Sequence, residues 1–262
     1  MKVYTLLISL ILTFTIQSCK IRINEVEDNS GYNFNYKGSP GIAITWDDNY
    51  VNEWYSIRQI LKENNVKCTF YITNFSRLDS LRLNMLRALK EDGNEIACHS
   101  VNHKDAVVYS NEFGIYKYIN DEIKPAIDSM RAKGFDPQSF AYPEGDRNEV
   151  TDTELLKYFR TLRSTTYNPG GKPYKWGTTR ILFGTGIDSS YNVPLDTIFK
   201  MLEYVKNTNE VVVLYGHRPV SAGVKSSGYY TSLYTLQAII RKAKELGLNF
   251  YTASELDVRN FL

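Results

Sequence analysis

The chain alternates short apolar runs with longer segments of helical spacing, and this alternation limits the folds it can adopt. The apolar runs are rich in β-branched and aromatic residues, which favours strands, and they lie at 41–46, 67–73, 94–98, 138–142, 161–164, 179–183, 210–214 and 248–251. The segments between them carry apolar residues at helical spacing, at 51–62, 77–91, 111–133, 151–159, 194–206 and 233–246. Strands that alternate with helices predict parallel βαβ units, so the predicted fold class is α/β, a distorted (β/α) barrel of seven or eight units.

Two local features of the predicted helices can be tested against the structure. Proline removes a backbone donor, so we expect helix 111–133 to bend or break around Pro125. Helix 151–159 begins with Thr and Asp residues, which favour the N-cap position, so one of them is expected to cap it.

Size, charge and cysteine content narrow the possibilities further. With 262 residues, 43% of them hydrophobic, the chain can bury one large core without a disulfide framework. The net charge of +2 and the lack of a basic run in the sequence give no indication of a nucleic-acid partner. Cys68 and Cys98 lie in predicted strands, where they are either buried thiols or a disulfide pair, and the sequence leaves that open.

The N-terminus is typical of a targeting segment. Lys2 supplies a positive charge, and the apolar run at 3–16 is too short for a comfortable membrane span but typical of a signal peptide. The residues Ile-Gln-Ser-Cys that end at Cys19 resemble a bacterial lipobox, so residues 1–19 are predicted to be a lipoprotein signal peptide with Cys19 lipidated. Residues 20–38 are polar and are predicted to be a tether, and residues 39–262 a single barrel domain. This predicts a lipid-anchored protein of the bacterial cell envelope, facing the periplasm or the cell surface; the alternative is an ordinary signal peptide cut nearby.

Two of the three histidines in the sequence, His99 and His103, lie four residues apart directly after a predicted strand. Residues at this spacing share one face of a helical turn, so both rings can point at one place. Neutral imidazole is the most common protein ligand for a transition metal. Taken alone, the pair is equally compatible with two hydrogen-bonded histidines in a loop.

An acidic pair and the third histidine also follow predicted strands. Asp47 and Asp48 come directly after strand 41–46, and His217 comes just after strand 210–214. A parallel barrel gathers the carboxyl ends of its strands at one mouth, so these residues are expected to meet the histidine pair there. The alternatives are that the acidic pair caps the helix beginning near Val51 and that His217 is a packed core or surface residue.

Together these residues predict a catalytic metal centre. Asp48, His99 and His103 form a two-histidine, one-carboxylate ligand set that leaves a coordination position open for water, as in catalytic zinc sites. The expected cofactor is a divalent metal, zinc first, with cobalt or nickel also suited to these ligands. Asp47 would take a proton from the attacking water, and His217 would give one to the leaving group. The sequence therefore predicts a metal-dependent hydrolase.

Five motifs between residues 41 and 256 resemble those of the NodB-like polysaccharide deacetylases, carbohydrate esterase family 4. The motifs are TWDD at 45–48, HSVNH at 99–103, FAYPEG at 140–145, LYGH at 214–217 and FYTASEL at 250–256. The resemblance implies a NodB-homology barrel of the glycoside hydrolase/deacetylase type.

The resemblance also implies an activity: metal-dependent hydrolysis that removes N-acetyl groups from an N-acetylhexosamine-containing polysaccharide or from peptidoglycan. The expected partners are that acetylated glycan and, through the lipid anchor, the membrane. The alternatives are an O-acetyl esterase acting on xylan or another sugar at the same metal site, and a non-catalytic glycan-binding protein on the same fold.

Carried over residue by residue, the resemblance makes Asp47 the catalytic base, Asp48, His99 and His103 the metal ligands, and His217 the catalytic acid. The backbone N–H near Glu144, with Tyr142 close by, would hold the oxyanion or contact the substrate.

The sequence departs from the family pattern in three places. Ala141 stands where many members have an arginine that orients the base, and Glu144 replaces the usual tyrosine. The Asp-Trp motif that supports the acid histidine has no clear counterpart. The candidates for the missing groups are Arg180 or Arg218 for the arginine, and Asp188 and Trp176 for the Asp-Trp pair.

Overall fold

The computed structural model of the protein describes residues 38–168, 170–221 and 228–257. The predicted signal peptide 1–19, its Cys19, and the predicted tether up to residue 37 lie outside these residues. Within the described ranges, no helix combines the length and the apolar character needed to cross a bilayer.

Seven parallel strands close into a barrel, because β1 pairs with β2 on one side and with β7 on the other. A short strand, β10, extends the sheet beside the start of β1, and β8 and β9 form a separate parallel pair. The strands are β1 Gly41–Asp48, β2 Cys68–Ile72, β3 Glu95–Cys98, β4 Ser139–Ala141, β5 Thr161–Thr165, β6 Ile181–Gly186, β7 Val211–Gly216, β8 Arg218–Val220, β9 Tyr230–Ser232 and β10 Asn249–Phe250. The predicted α/β barrel is confirmed.

Helices cover the outside of the barrel. They are α1 Val51–Ser56, α2 Arg58–Glu63, α3 Ser80–Glu91, α4 Ala106–Phe113, α5 Ile115–Tyr118, α6 Lys124–Arg131, α7 Glu149–Leu155, α8 Leu195–Thr208 and α9 Leu233–Glu245. The predicted helix 51–62 is thus two helices that meet at Ile57. The cap of α7 is Asn148, in a capping box with Thr151, so the expectation of a Thr or Asp cap was wrong.

The predicted helix 111–133 is interrupted in a different way from the one expected. Gly114, with φ of 88°, ends α4, so the break comes eleven residues before Pro125. A π-helical turn, Ile119–Ile123, then links α5 to α6, and Pro125 lies in the first turn of α6, where its missing N–H costs little. This π turn lies beside the functional loop described below.

Side-chain alternation along the strands separates two apolar layers. On β1, Ile42, Ile44 and Trp46 face outward into the main core under the helices, whereas Ala43 belongs to a smaller cluster inside the barrel. Asp47 shares the inward parity of Ala43. Cys68 and Cys98 are buried free thiols, so they do not form the disulfide that the sequence left open.

Helix α3 offers a matched test of which face supports the barrel. Leu86 is fully buried whereas Leu81 on the same helix is 63% exposed. Leu86→Ala should lower the free energy of unfolding by about 2–5 kcal/mol, because it leaves a cavity in the main core. Leu81→Ala should change it by no more than about 0.5 kcal/mol. Urea denaturation of both variants measures the difference, and equal losses would contradict this packing.

Candidate metal centre and active site

The carboxyl ends of β1, β3 and β7 meet around one cavity of about 230 Å³ at the barrel mouth. It is lined by Asp47, Asp48, His99, His103 and His217, the five residues singled out in the sequence. Three distant segments therefore deliver them to one place. The acidic pair does not cap α1, because the N-cap position is Tyr50 and no side chain bonds there.

Asp48, His99 and His103 form a cluster with the spacing of a metal site. Oδ1 of Asp48 lies 3.8 Å from Nε2 of His99 and 3.4 Å from Nε2 of His103. One ligand atom from each residue lies within 4.8 Å of the other two. Metal–ligand bonds of about 2.0–2.1 Å at tetrahedral angles place ligand atoms about 3.3 Å apart, so the three side chains need to move little to hold an ion.

The imidazole of His99 is oriented by the backbone of β4. Its Nδ1 lies 2.8 Å from the carbonyl oxygen of Ala141, so Nδ1–H donates there and Nε2 keeps its lone pair on the side of Asp48. His99 is almost fully buried, and this burial lowers the pKa of its imidazole to about 3. The ring is therefore neutral at physiological pH, which is the form that binds a metal. These donor atoms, two imidazole nitrogens and a carboxylate oxygen, fit a divalent transition metal.

Residues 99–103 form a loop rather than the expected helical turn. Ser100 and His103 both adopt the left-handed region, with φ of 61° and 56°, and Oγ of Ser100 accepts the backbone N–H of His103 at 3.0 Å. The two rings still approach each other edge to face, with centroids 4.7 Å apart. The expected convergence is therefore reached through a different backbone.

Asp47 is buried at the inner wall of the mouth, where its partner is Arg163 of β5. Nη2 of Arg163 donates to Oδ2 of Asp47, and both side chains are almost completely buried. Burial by itself would raise the pKa of the Asp47 carboxyl. The groups around it, Arg163 first and then His99 and His217, outweigh burial and hold the pKa below its usual value. Asp47 is therefore ionised and fixed in orientation.

Neither arginine proposed from the sequence reaches Asp47. The guanidinium of Arg180 donates to the backbone carbonyl oxygens of Leu156, Phe159 and Arg160. That of Arg218 lies over the ring of Tyr50, 5.7 Å from its centroid. Both hypotheses were wrong. The sequence did contain an indication of Arg163: it is the one arginine within the strand TLRST, at a position that faces the inside of the barrel.

His217 is supported by Asp188, which the sequence offered as a candidate. Oδ2 of Asp188 lies 2.5 Å from Nδ1 of His217, and Oδ1 accepts the hydroxyl of Thr231 at 2.6 Å. Burial would lower the pKa of His217, but the hydrogen bond to Asp188 and the charge of Asp47 outweigh it and raise the pKa. The other candidate, Trp176, instead packs on Tyr251 beside the start of β1, at the far end of the barrel.

Glu144 and Tyr142 lie on the β4 side of the cavity. Glu144 adopts φ of 61°, and its exposed Oε1 lies 3.7 Å from Nδ1 of His103. The Tyr142 hydroxyl donates to Asp152 at 2.7 Å, and the Tyr142 backbone N–H donates to the carbonyl oxygen of Arg163. Both donors of Tyr142 therefore already have partners within the protein.

Aromatic side chains that sequence reasoning did not single out form much of the remaining wall. They are Tyr167, Tyr191, Tyr215 and Tyr229. The ring of Tyr229 lies 4.9 Å from that of His217 and 5.5 Å from that of Tyr191, and about half of its surface is exposed. Flat rings with polar edges of this kind suit a sugar surface.

The polysaccharide deacetylase family model matches residues 35–160, which include the acidic pair and both clustered histidines. Over this segment, just under half of its length, the chain matches the polysaccharide deacetylase family. The resemblance expected from the motifs is confirmed, and the enzyme class is that of a deacetylase. No curated protein matches the chain.

Several solved structures share the fold of this chain. The Xyl-CE4 domain of a multidomain xylanase from the hindgut metagenome of Trinervitermes trinervoides aligns with a TM-score of 0.58 at 19% identity, over 86% of this chain and 93% of that one. Peptidoglycan deacetylase PdaC from Bacillus subtilis aligns with a TM-score of 0.53 at 17% identity, over 84% and 91%. The catalytic domain of a peptidoglycan N-acetylglucosamine deacetylase from Eubacterium rectale gives 0.50 at 20%, over 82% and 89%. At these identities the likeness to the solved structures concerns the fold alone.

The Asp188–His217 pair predicts a pH effect with a defined sign. Asp188→Asn removes the negative charge that raises the pKa of His217, while the burial that lowers it remains. The pKa of His217 should therefore fall, and the imidazole should lose its proton at a lower pH than in the wild type. NMR titration of the three histidines measures this directly. Asp92→Asn, at a surface pair with Arg58, is the control, and an unchanged His217 pKa in Asp188→Asn would refute the coupling.

Proposed function

We propose that this chain is a metal-dependent deacetylase that removes N-acetyl groups from an N-acetylhexosamine-containing polysaccharide or from peptidoglycan. The observation that carries the proposal is the arrangement at the barrel mouth. The Asp48–His99–His103 cluster lies in the same cavity as two further titratable groups, Asp47 and His217. Their pKa values are shifted in opposite directions, down for Asp47 and up for His217, which is the pattern of a base and an acid.

The cluster Asp48, His99 and His103 would hold the metal, and zinc fits the two nitrogens and one oxygen best, with cobalt or nickel as substitutes. When bound, a divalent metal supplies Lewis-acid activation of water and of the acetyl carbonyl. The carbonyl oxygen of Ala141 keeps His99 in the tautomer that this requires.

The protein's own groups would then move the protons. Asp47 accepts a proton from the water whose oxygen forms a bond to the acetyl carbon, and Arg163 keeps the Asp47 carboxylate ionised and aimed. His217 donates its proton to the amide nitrogen as the carbon–nitrogen bond breaks, while Asp188 stabilises the imidazolium. The products are acetate and a free amino sugar.

The developing oxyanion needs a hydrogen-bond donor, and the backbone near Glu144 is the proposed source. The left-handed turn at Glu144 lies on the cavity wall next to His103. Replacement of the family's tyrosine by Glu144 leaves a backbone donor available in principle, because every residue other than proline carries one. The two donors of Tyr142 are already bonded, so we assign Tyr142 to the wall of the site and not to the oxyanion.

Two observations favour catalysis over the alternative of a non-catalytic glycan-binding protein. That alternative rested on Ala141 and on the missing Asp-Trp motif, and Arg163 and Asp188 fill the two gaps. The O-acetyl esterase alternative rested on weak support for His217. The 2.5 Å contact with Asp188 removes that reason, since a well-supported acid suits the poorer leaving group of an amide.

Lipidation at Cys19 and a location in the bacterial cell envelope remain part of the proposal. Both rest on the lipobox-like sequence and the polar segment that follows it. Such an anchor would bring the barrel close to the glycans of the envelope.

Substitution of the base Asp47 and of the metal ligand His99 should separate proton transfer from metal binding. Asp47→Asn should retain zinc but lower the rate of acetate release by about 10²–10⁴-fold, because the water then has no base. His99→Ala should lose both zinc and activity. Metal content is measured by mass spectrometry of the purified protein and acetate by an enzymatic assay. Wild-type activity in Asp47→Asn would exclude this assignment.

A panel of substrates tests the class of bond. Zinc-loaded protein should release acetate from chitin oligomers or from peptidoglycan, and it should release less from acetylated xylan at equal acetyl concentration. Release from xylan alone would favour the esterase, and sugar binding without any release would favour the glycan-binding protein. His99→Ala is the control for hydrolysis that does not depend on the metal site.

A further inference from the structure

A buried carboxylate on the π-helical turn contacts the loop that carries His103. Glu122 is only 2% exposed and lies within Ile119–Ile123. Its Oε2 accepts the backbone N–H of Asn102 at 2.8 Å, and its Oε1 accepts the side-chain amide of Asn102 at 2.9 Å. Its backbone carbonyl accepts the N–H of Val101 at 3.1 Å. All three bonds reach residues between the two histidine ligands.

The loop needs such support because its backbone is strained. Ser100 and His103 both have left-handed φ values, and each non-glycine residue held there costs about 1 kcal/mol or more. Asn102 lies between them and is exposed, so packing alone does not hold it. On the opposite side, the carbonyl oxygen of Val101 accepts the backbone N–H of Asn74 at 2.9 Å. The loop is therefore held between the end of β2 and Glu122.

We infer that Glu122 is a positioning residue for the metal site: through Asn102 it fixes the loop conformation that holds His103 against Asp48 and His99. The inference rests on the proposed function in so far as that function places a metal at these three residues. Glu122 itself contacts no ligand atom in the described structure. Its effect reaches the site through one residue, because Asn102 is directly followed by His103.

Glu122 reaches the loop from within the π turn. A π turn adds one residue to a helical turn and so changes the direction of the side chains that follow. In this chain the turn lies between α5 and α6, and Glu122 within it is buried, whereas its neighbour Asp121 is partly exposed and pairs with Lys117. Adjacent acidic residues thus have different surroundings.

The test is the affinity of the full-length protein for zinc, measured by competition with a chromophoric chelator. Glu122→Gln replaces one acceptor with a donor that faces the Asn102 amide, and it should weaken zinc binding about 10- to 100-fold, the range found when support of a metal ligand is removed. Glu95→Gln is the matched control. Glu95 also accepts three hydrogen bonds, from Thr69, Ser139 and Ser254, but at the start of β3, at the opposite end of the barrel.

A double variant separates positioning from general damage to the fold. In Glu122→Gln with Asn102→Asp, the glutamine oxygen can accept the backbone N–H as before, and its amide can donate to the new carboxylate. Both hydrogen bonds therefore return, and only the one between the side chains has its polarity reversed. Zinc affinity should recover most of its loss. If Glu122→Gln does not fold, Asn102→Ala, at an exposed position, removes one of the two bonds and should still weaken zinc binding.

The outcomes are distinct. The inference would be overturned if Glu122→Gln bound zinc as tightly as Glu95→Gln does. It would also be overturned if the double variant bound zinc no more tightly than Glu122→Gln. If Glu122→Gln does not fold, an unchanged zinc affinity in Asn102→Ala would overturn it. A wild-type protein that binds zinc but releases no acetate would count against the proposed function and leave the role of Glu122 standing. A wild-type protein that binds no zinc would refute both.

Discussion

The ion pair between Asp47 and Arg163 inside the barrel is the interaction on which the site depends. Both side chains are buried, and a buried charge without a partner costs several kcal/mol. The guanidinium also lies over the rings of Tyr71 and Tyr215, 5.4 and 4.9 Å from their centroids. A charged carboxylate can thus persist at the inner wall of the mouth.

The residue that follows Asp47 breaks the strand alternation. Asp48 has φ of 82°, which ends β1 and brings its carboxylate to the two histidines. Two adjacent aspartates therefore acquire different neighbours, an arginine for one and imidazoles for the other. The different roles that we propose for them follow from this single backbone feature.

The barrel was readable from the sequence because its strands are short, apolar and separated by helices of regular spacing. Helix boundaries were less readable where tertiary contacts decide them. The break at Gly114 and the π turn before Pro125 do not follow from the apolar spacing of 111–133. The buried Glu122 could not be recognised either, because a glutamate in a predicted helix looks the same by pattern whether it is buried or solvated. The loop 99–103 was expected to be helical because i, i+4 spacing is the usual way to align two rings.

The candidate site was predictable wherever a residue type is rare and follows a strand. The three histidines satisfied both conditions. The acidic pair, although acidic residues are common in the chain, was marked by its place directly after a strand. Arg163 was not marked in this way, since it lies within a strand and meets Asp47 only after β5 and β1 face each other across the barrel. The same reasoning applies to Asp188, whose carboxylate accepts the hydroxyl of Thr231 on β9, a strand outside the apolar runs of the sequence.

The replacement of the family arginine by Ala141 has a consequence for how such chains are recognised. The guanidinium comes from the neighbouring strand, while the alanine backbone still serves His99. The positively charged side chain can thus come from the adjacent strand and still lie inside the barrel. A position-by-position comparison of the motifs would count Ala141 as the loss of the arginine. A comparison of the charged side chains inside the barrel would find the arginine present, as Arg163.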